Sequence, residues 1–69
     1  MLYVYEVLVM TDIGIRRVGI FTKEKAYKVF EEECWFMSRC GGLNNVELVE
    51  RQIDKAYEGK VLECKTYRN

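Results

Sequence analysis

The chain contains few residues that could carry out chemistry. It has no histidine, so the usual general base, metal ligand and pH switch is missing. Ser38 is the only serine, and no base falls at a spacing that would activate it. Glu31, Glu32 and Glu33 are consecutive, so on a helix their carboxylates spread around the axis and do not converge. We therefore predict that the protein is not an enzyme.

The three cysteines do not form a recognisable metal site. Cys34, Cys40 and Cys64 show no C-x-x-C spacing, and zinc bound without histidine would need four thiolates. An odd number of cysteines is typical of reduced thiols in a cytosolic protein. The apolar segment 1–10 is too short to span a membrane and contains Glu6. We expect a cytoplasmic protein with no metal, no cofactor and no membrane contact.

The charge of the chain balances overall but not locally. Eleven basic and eleven acidic residues give a net charge of zero, whereas a generic nucleic-acid binder is usually clearly basic. Residues 15–30 are mostly basic and residues 31–50 mostly acidic. Zones of opposite sign on one small body suit electrostatic steering or self-association.

Two tyrosines and two arginines could contact nucleic acid. Tyr3 and Tyr5 share one face of a predicted strand, where they could stack on bases. Arg16 and Arg17 on the next strand would supply positive charge. The same four residues at the seam of a dimer could instead hold a small nucleotide signal. The tyrosines would serve equally well as core residues, so these functions remain alternatives to protein binding.

One long helix must position most of the remaining polar residues. The pattern predicts an amphipathic helix from Phe21 to Gly42. Thr22 is a suitable N-cap, because its hydroxyl can accept a hydrogen bond from a free N–H of the first turn. Gly41 and Gly42 tolerate left-handed backbone and would end the helix. The stripe predicted to pack on a sheet comprises Ala26, Phe30, Cys34 and Met37, with Val29, Phe36 and Cys40 on its flank.

Trp35 falls about 180° from Ala26 on this helix, in the middle of the polar face. Tryptophan is enriched at binding hot spots, because it buries a large area and keeps a hydrogen-bond donor. We interpret the position as a protein interface; in the alternative, the helix ends near Glu33 and Trp35 turns back into the core. Glu33 lies near the apolar stripe and needs either solvent or a basic partner. The residues predicted to surround Trp35 at this interface are Lys28, Glu31, Glu32 and Arg39.

Strands are predicted on both sides of the helix. Residues 2–10, 15–21 and 60–67 are rich in β-branched and aromatic residues. Residues 46–53 fit either a strand or a second helix. The sequence therefore predicts one α+β domain over residues 1–69: a four-stranded antiparallel sheet with one long helix packed on a face, in the order β-β-α-β-β. The last two residues are expected to fray.

The first strand is apolar on both faces, which is typical of a central strand covered on both sides or paired across an interface. Hydrophobic residues make up 49% of the chain, and a domain this small has little interior in which to bury them. We therefore expect a homodimer, formed through an exposed strand edge or through the helix face that bears Trp35.

The segment VYEVLVMTDIGIRRVGIFTKEKAYKVFEEE, residues 4–33, has a strand, a short turn, a second strand ending in G-I-F-T, and E-x-A opening a helix. It resembles many short proteins of unknown function in phages and mobile elements. The resemblance implies a small viral or mobile-element accessory protein, and many such proteins bind a host protein, including inhibitors of bacterial immune systems. It supplies no catalytic residues.

From these features we predict a non-enzymatic binding protein that inhibits a host defence or regulatory protein by direct docking, in the cytoplasm of the host cell. The alternatives are a nucleic-acid-binding accessory domain and a sponge for a small nucleotide signal.

Overall fold

The computed structural model describes residues 2–55 and 59–69, except for the side chain of Lys55. These residues form four strands, one α-helix and a short 3-10 helix. The strand predicted over 46–53 is present and begins earlier, at Leu43, so the alternative of a second α-helix there is wrong. The elements are β1 (Tyr3–Thr11), β2 (Gly14–Phe21), α1 (Lys23–Met37), β3 (Leu43–Gln52), the 3-10 helix (Ile53–Lys55) and β4 (Gly59–Arg68).

The strands form one antiparallel sheet in the order β2-β1-β3-β4. This confirms the predicted β-β-α-β-β architecture. The apolar strand β1 lies inside the sheet, between β2 and β3, as its two apolar faces require. Strands β2 and β4 form the two edges. The sequence Tyr57-Glu58-Gly59 predicts a turn that connects β3 to β4, and its first two residues lie outside the described residues.

The hydrophobic core lies between one face of the sheet and α1. Alternate residues of β1 point into it, since successive side chains of a strand face opposite sides. The predicted stripe of the helix packs here, with the exception of Phe36, whose side chain is exposed. Phe36 follows Trp35 directly, and a helix turns by about 100° per residue. The side chain of Phe36 therefore lies outside the contact between helix and sheet. The buried residues of this core are Tyr5, Val7, Val9, Ala26, Phe30, Met37, Val46 and Leu48.

A β-bulge reshapes the edge strand β2. Gly19 pairs with Val7 and Arg17 pairs with Leu8, which leaves Val18 as the extra residue. Val18 packs against the core. A Cβ atom at Gly19 would lie 2.7 Å from Cζ of Phe21, so a larger residue here would force this ring to move.

The helix ends at Met37, five residues before the predicted end. The backbone N–H groups of Arg39 and Cys40 bond to Phe36 O and Met37 O, so the chain turns tightly after the helix. Gly42 adopts φ +87°, the left-handed conformation expected of glycine. It therefore shapes the loop into β3 and does not end the helix. At the other end Thr22 occupies the N-cap position, but its side chain makes no capping hydrogen bond.

Two asparagine side chains satisfy the carbonyls exposed at the helix end. Asn44 Nδ2 donates to Met37 O at 3.4 Å and to Cys40 O at 3.2 Å. Asn69 Nδ2 donates to Cys40 O at 2.6 Å. The backbones of Asn69 and Gly42 also exchange hydrogen bonds in both directions. The prediction that the last residues fray is therefore wrong for Asn69, which is tied to the helix end.

Candidate functional site

The outer face of α1 carries two large aromatic side chains next to each other. Trp35 is 61% exposed and Phe36 is 55% exposed. The helix continues through both residues, so the alternative in which Trp35 turns back into the core is wrong. Side chains of this size bury roughly 150 to 250 Å² each when covered, so this pair offers a large apolar contact area. We call the surface formed by Lys28, Glu31, Glu32, Trp35, Phe36 and Arg39 the helix face.

Arg39 holds the indole of Trp35 in place. Its guanidinium carbon lies 4.0 Å from the centroid of the ring system, in a cation–π stack. The same guanidinium donates through Nη1 to Trp35 O at 3.0 Å and to Ser38 Oγ at 3.3 Å. Ser38 Oγ donates to Trp35 O at 2.7 Å. The guanidinium therefore contacts both the indole and the backbone at the helix end, and this contact restrains the orientation of the indole.

Charged side chains surround the two aromatic residues. Lys28, Glu31 and Glu32 line a shallow groove with Trp35 and Phe36. Glu33 also borders the groove, but its carboxylate accepts a hydrogen bond from Arg16 Nη2 at 2.7 Å. This ion pair supplies the basic partner that the position of Glu33 required. With Arg39 stacked on Trp35, the helix face therefore combines an apolar centre with two acidic and two basic side chains.

The structure does not bring Tyr3, Tyr5, Arg16 and Arg17 together. Tyr5 lies in the core under the helix, and its hydroxyl donates to Glu50 Oε2 at 3.1 Å. Burial, together with this hydrogen bond and the charge of Glu50, raises the pKa of Tyr5. Tyr3 is exposed on the same strand. A single tyrosine ring at one end of the sheet does not make the stacking platform that the nucleic-acid hypothesis needs.

The two arginines of this set lie on opposite faces of the sheet. Arg16 pairs with Val9 and reaches Glu33 on the helix side. Arg17 pairs with Leu8 and points to the other side, where it donates through Nη1 to Glu6 Oε2 at 2.9 Å. Both guanidinium groups are already engaged in ion pairs, and they cannot contact one ligand together.

A buried carboxylate on the sheet was not predicted as a site. Glu6 is 2% exposed, and its two oxygens are used separately. Oε2 accepts from Arg17, and Oε1 accepts from Arg51 Nε at 2.9 Å. The sequence feature that could have identified this site is a charged residue in the middle of an apolar strand, because such a residue needs partners when it is buried. Arg51 is 45 residues away in sequence, so only the strand register could identify it.

The three cysteines are free thiols and differ in environment. Cys34 is partly buried against the core, whereas Cys64 is exposed on β4. Burial raises the pKa of the Cys34 thiol, and a hydrogen bond with Tyr67 partly opposes that effect. Within residues 2–55 and 59–69, no group of three or more cysteine, aspartate or glutamate side chains could hold a metal ion. The described part of the chain also contains no helix that is long and apolar enough to cross a membrane.

In comparisons with known proteins, no protein-family model, curated protein or solved structure matches the chain.

Proposed function

We propose that this chain is a non-enzymatic binding protein that docks on another protein through the helix face, with Trp35 as the anchor. The observation that carries the proposal is the exposure of Trp35 and Phe36 side by side on a helix whose other face is fully used by the core. Exposed apolar side chains that form a patch mark interaction sites more often than scattered ones do.

The Arg39 stack supports this function in a second way. A side chain that is already held in one rotamer loses less conformational entropy on binding, so it contributes more to affinity. Trp35 is held in this way by a cation–π contact at 4.0 Å, while its outer surface stays open to solvent. Hot spots at protein interfaces have the same composition, with tryptophan and arginine over-represented.

The surroundings of the aromatic pair indicate the chemistry of the partner. Glu31 and Glu32 are balanced by Lys28 and Arg39 on the helix face, and Glu33 is neutralised by Arg16. The complementary surface would have an apolar pocket for the indole and a rim with charges of both signs. The resemblance of residues 4–33 to short phage and mobile-element proteins suggests that the partner is a host defence or regulatory protein and that docking inhibits it.

A capture experiment tests the proposal. The tagged chain is incubated with bacterial lysate, with and without nuclease, and bound proteins are identified by mass spectrometry. Trp35→Ala is run in parallel with Ile13→Ala, a matched control, because Ile13 is 97% exposed at the β1–β2 turn and lies away from the helix face. The expected result is a protein that survives nuclease, is retained by Ile13→Ala and is lost with Trp35→Ala.

Three results would contradict the proposal. Recovery of nucleic acid, with all bound protein lost on nuclease treatment, would favour the alternative of a nucleic-acid-binding accessory domain. A protein partner retained equally by Trp35→Ala and wild type would show that docking uses another surface. A shift of the melting temperature with a small nucleotide, and no protein capture, would instead favour the nucleotide sponge.

A further inference from the structure

The edge strand β4 presents a row of backbone hydrogen-bonding groups on its outer side. The sheet order β2-β1-β3-β4 leaves that side without a paired strand among the described residues. The backbones of Gly42 and Asn69 exchange hydrogen bonds in both directions, and such pairs alternate with non-hydrogen-bonded pairs along an antiparallel ladder. The N–H and C=O groups of Cys64, Thr66 and Arg68 therefore point outward, away from β3. An edge of this kind is a template for a further strand.

The opposite edge strand, β2, is less suited to pairing. The bulge at Val18 interrupts β2 directly after its first segment, residues 14–17, and a bulge on an edge twists the strand away from a further partner. Arg16 and Arg17 are adjacent in that segment, so two copies of β2 would bring arginines close together. Strand β4 is therefore the edge at which a second strand fits better.

We infer that β4 pairs with β4 of a second copy of this chain, antiparallel and centred on Cys64, so that two four-stranded sheets join into one continuous sheet. A two-fold axis perpendicular to the sheet relates the copies. Both helices then lie on the same side of the joined sheet, and the helix face of each copy stays uncovered. The pairing surface is therefore separate from the proposed docking site around Trp35.

Charge identifies both the second copy and the register. Glu63 and Lys65 flank Cys64 in the sequence, and both side chains are exposed on the helix side of β4. Among the described residues, neither takes part in an ion pair. A two-fold axis at Cys64 places Glu63 of each copy directly opposite Lys65 of the other, which is a favourable cross-strand pair. Moving the register by two residues in either direction opposes Glu63 to Glu63 or Lys65 to Lys65. Moving it by one residue sets the outward backbone groups against groups that face β3.

The bulge in β4 is compatible with this pairing. Leu62 is the extra residue, since its two neighbours in the sequence pair with consecutive residues of β3. Past Leu62, the ladder continues with Val61 opposite Thr66 of the other copy, and both lie on the face away from α1. The same one-residue shift moves Lys60 out of register with Arg68, so these like charges do not face each other. Strand β4 can therefore pair on both sides of its bulge.

The thiol of Cys64 provides a direct probe of the register. Cys64 is exposed and free. In this dimer its backbone forms a hydrogen-bonded pair with Cys64 of the other copy, and the Cα atoms of such a pair lie about 5.5 Å apart. This distance is within the range that a disulfide bridges. Diamide, which takes one hydrogen from each of two thiols, should therefore link the two copies through Cys64.

Sedimentation velocity over a concentration series measures the dimer Kd and tests the inference. We expect Glu63→Lys and Lys65→Glu each to raise the Kd by about tenfold, because each creates two like-charge pairs per dimer. The double variant Glu63→Lys/Lys65→Glu restores both opposite-charge pairs, so its Kd should return to within about threefold of the wild-type value. Glu24→Lys makes the same charge change at an exposed position in the first turn of α1 and should leave the Kd unchanged. Circular dichroism verifies the fold of each variant.

Several results would overturn the inference. One is a wild-type chain that stays monomeric at concentrations of hundreds of micromolar. Another is a double variant that dimerises no better than the single variants, because Glu63 and Lys65 would then not face each other. A dimer that diamide does not link through Cys64, as judged by mass spectrometry of the peptides, would exclude this register. Dissociation of the dimer by Trp35→Ala would place the contact between copies on the helix face instead.

Discussion

The guanidinium of Arg39 lies over the indole of Trp35, with 4.0 Å between its Cζ atom and the ring centroid. The two residues are four apart in sequence, which places them on the same side of a helical turn. The contact persists although α1 ends at Met37, because the backbone N–H groups of Ser38 and Arg39 continue the turn by donating to Cys34 O and Phe36 O. The end of the helix therefore shapes the candidate docking site.

Removing the stack should loosen the indole without unfolding the protein. Trp35 is the only tryptophan in the chain, so the anisotropy of its fluorescence reports on this side chain alone. We expect a lower anisotropy for Arg39→Gln, and a partner affinity weakened by roughly twofold to fivefold, since exposed cation–π contacts contribute about 0.5–1 kcal/mol. Lys28→Gln removes the same charge from the helix face and is the control. Equal anisotropy in both variants would argue against preorganisation by Arg39.

Glu6 should matter more for stability than either arginine that it contacts. Its carboxylate is buried, whereas the side chain of Arg17 is 71% exposed. We expect Glu6→Gln to lower the free energy of unfolding by about 2 kcal/mol, because buried ionic hydrogen bonds are lost. Arg17→Gln should cost about 0.5 kcal/mol, as for an exposed ion pair. Urea unfolding measures both, and the reverse order would show that Glu6 is not the centre of the cluster.

Asn44 should be required for the end of α1. Its side chain is buried and donates toward the carbonyls of Met37, Cys40 and Gly41. Asn44→Ala removes the buried amide that donates to these carbonyls, of which those of Met37 and Cys40 keep Asn69 as a second donor, so we expect a loss of about 1.5 kcal/mol in thermal or urea unfolding. Asn45→Ala is the matched control: Asn45 accepts hydrogen bonds from exposed side chains of β4, and its loss should cost about 0.5 kcal/mol. Equal losses would contradict the capping role.

Cys34 should resist alkylation until high pH. Burial raises the pKa of its thiol, so less of the reactive thiolate is present at any given pH below that value. We expect the labelling rate of a variant that retains only Cys34 to rise at a higher pH than that of a variant that retains only exposed Cys64. The folded state therefore binds this proton more tightly than the unfolded state does. This tighter binding stabilises the fold at pH values below the ordinary thiol pKa, and the stabilisation declines as the pH rises through the raised pKa of Cys34. Matching labelling profiles would contradict the burial of Cys34.

The sequence predicts those features that depend on local periodicity. The helical repeat places Trp35 opposite Ala26, and the structure confirms that Trp35 is exposed and Ala26 is buried. The alternation of β1 and the apolar character of both its faces likewise indicate an internal strand. These patterns repeat over a few residues, so neighbouring positions suffice to recognise them.

Features that depend on contacts between distant segments cannot be predicted from such local patterns. The pairing of Glu6 with Arg51 follows from the register of β1 with β3, which no local repeat specifies. The hydrogen bonds between Asn69 and the end of the helix likewise join segments that are distant in sequence. Tyr5 and Arg17 fall on opposite faces because the register of β1 with β2 pairs Arg17 with Leu8, whose side chain lies on the face opposite Tyr5.

The affinity of Trp35→Ala for the captured partner tests the central claim most directly. Isothermal titration calorimetry would compare wild type, Trp35→Ala and the control Ile13→Ala at two salt concentrations. If Trp35 is the anchor, Trp35→Ala raises the Kd by about 30-fold or more, which corresponds to a hot spot of about 2 kcal/mol. The Ile13→Ala value should stay within about twofold of wild type, with little dependence on salt in any variant. Equal Kd values for Trp35→Ala and wild type would contradict the docking role of the helix face.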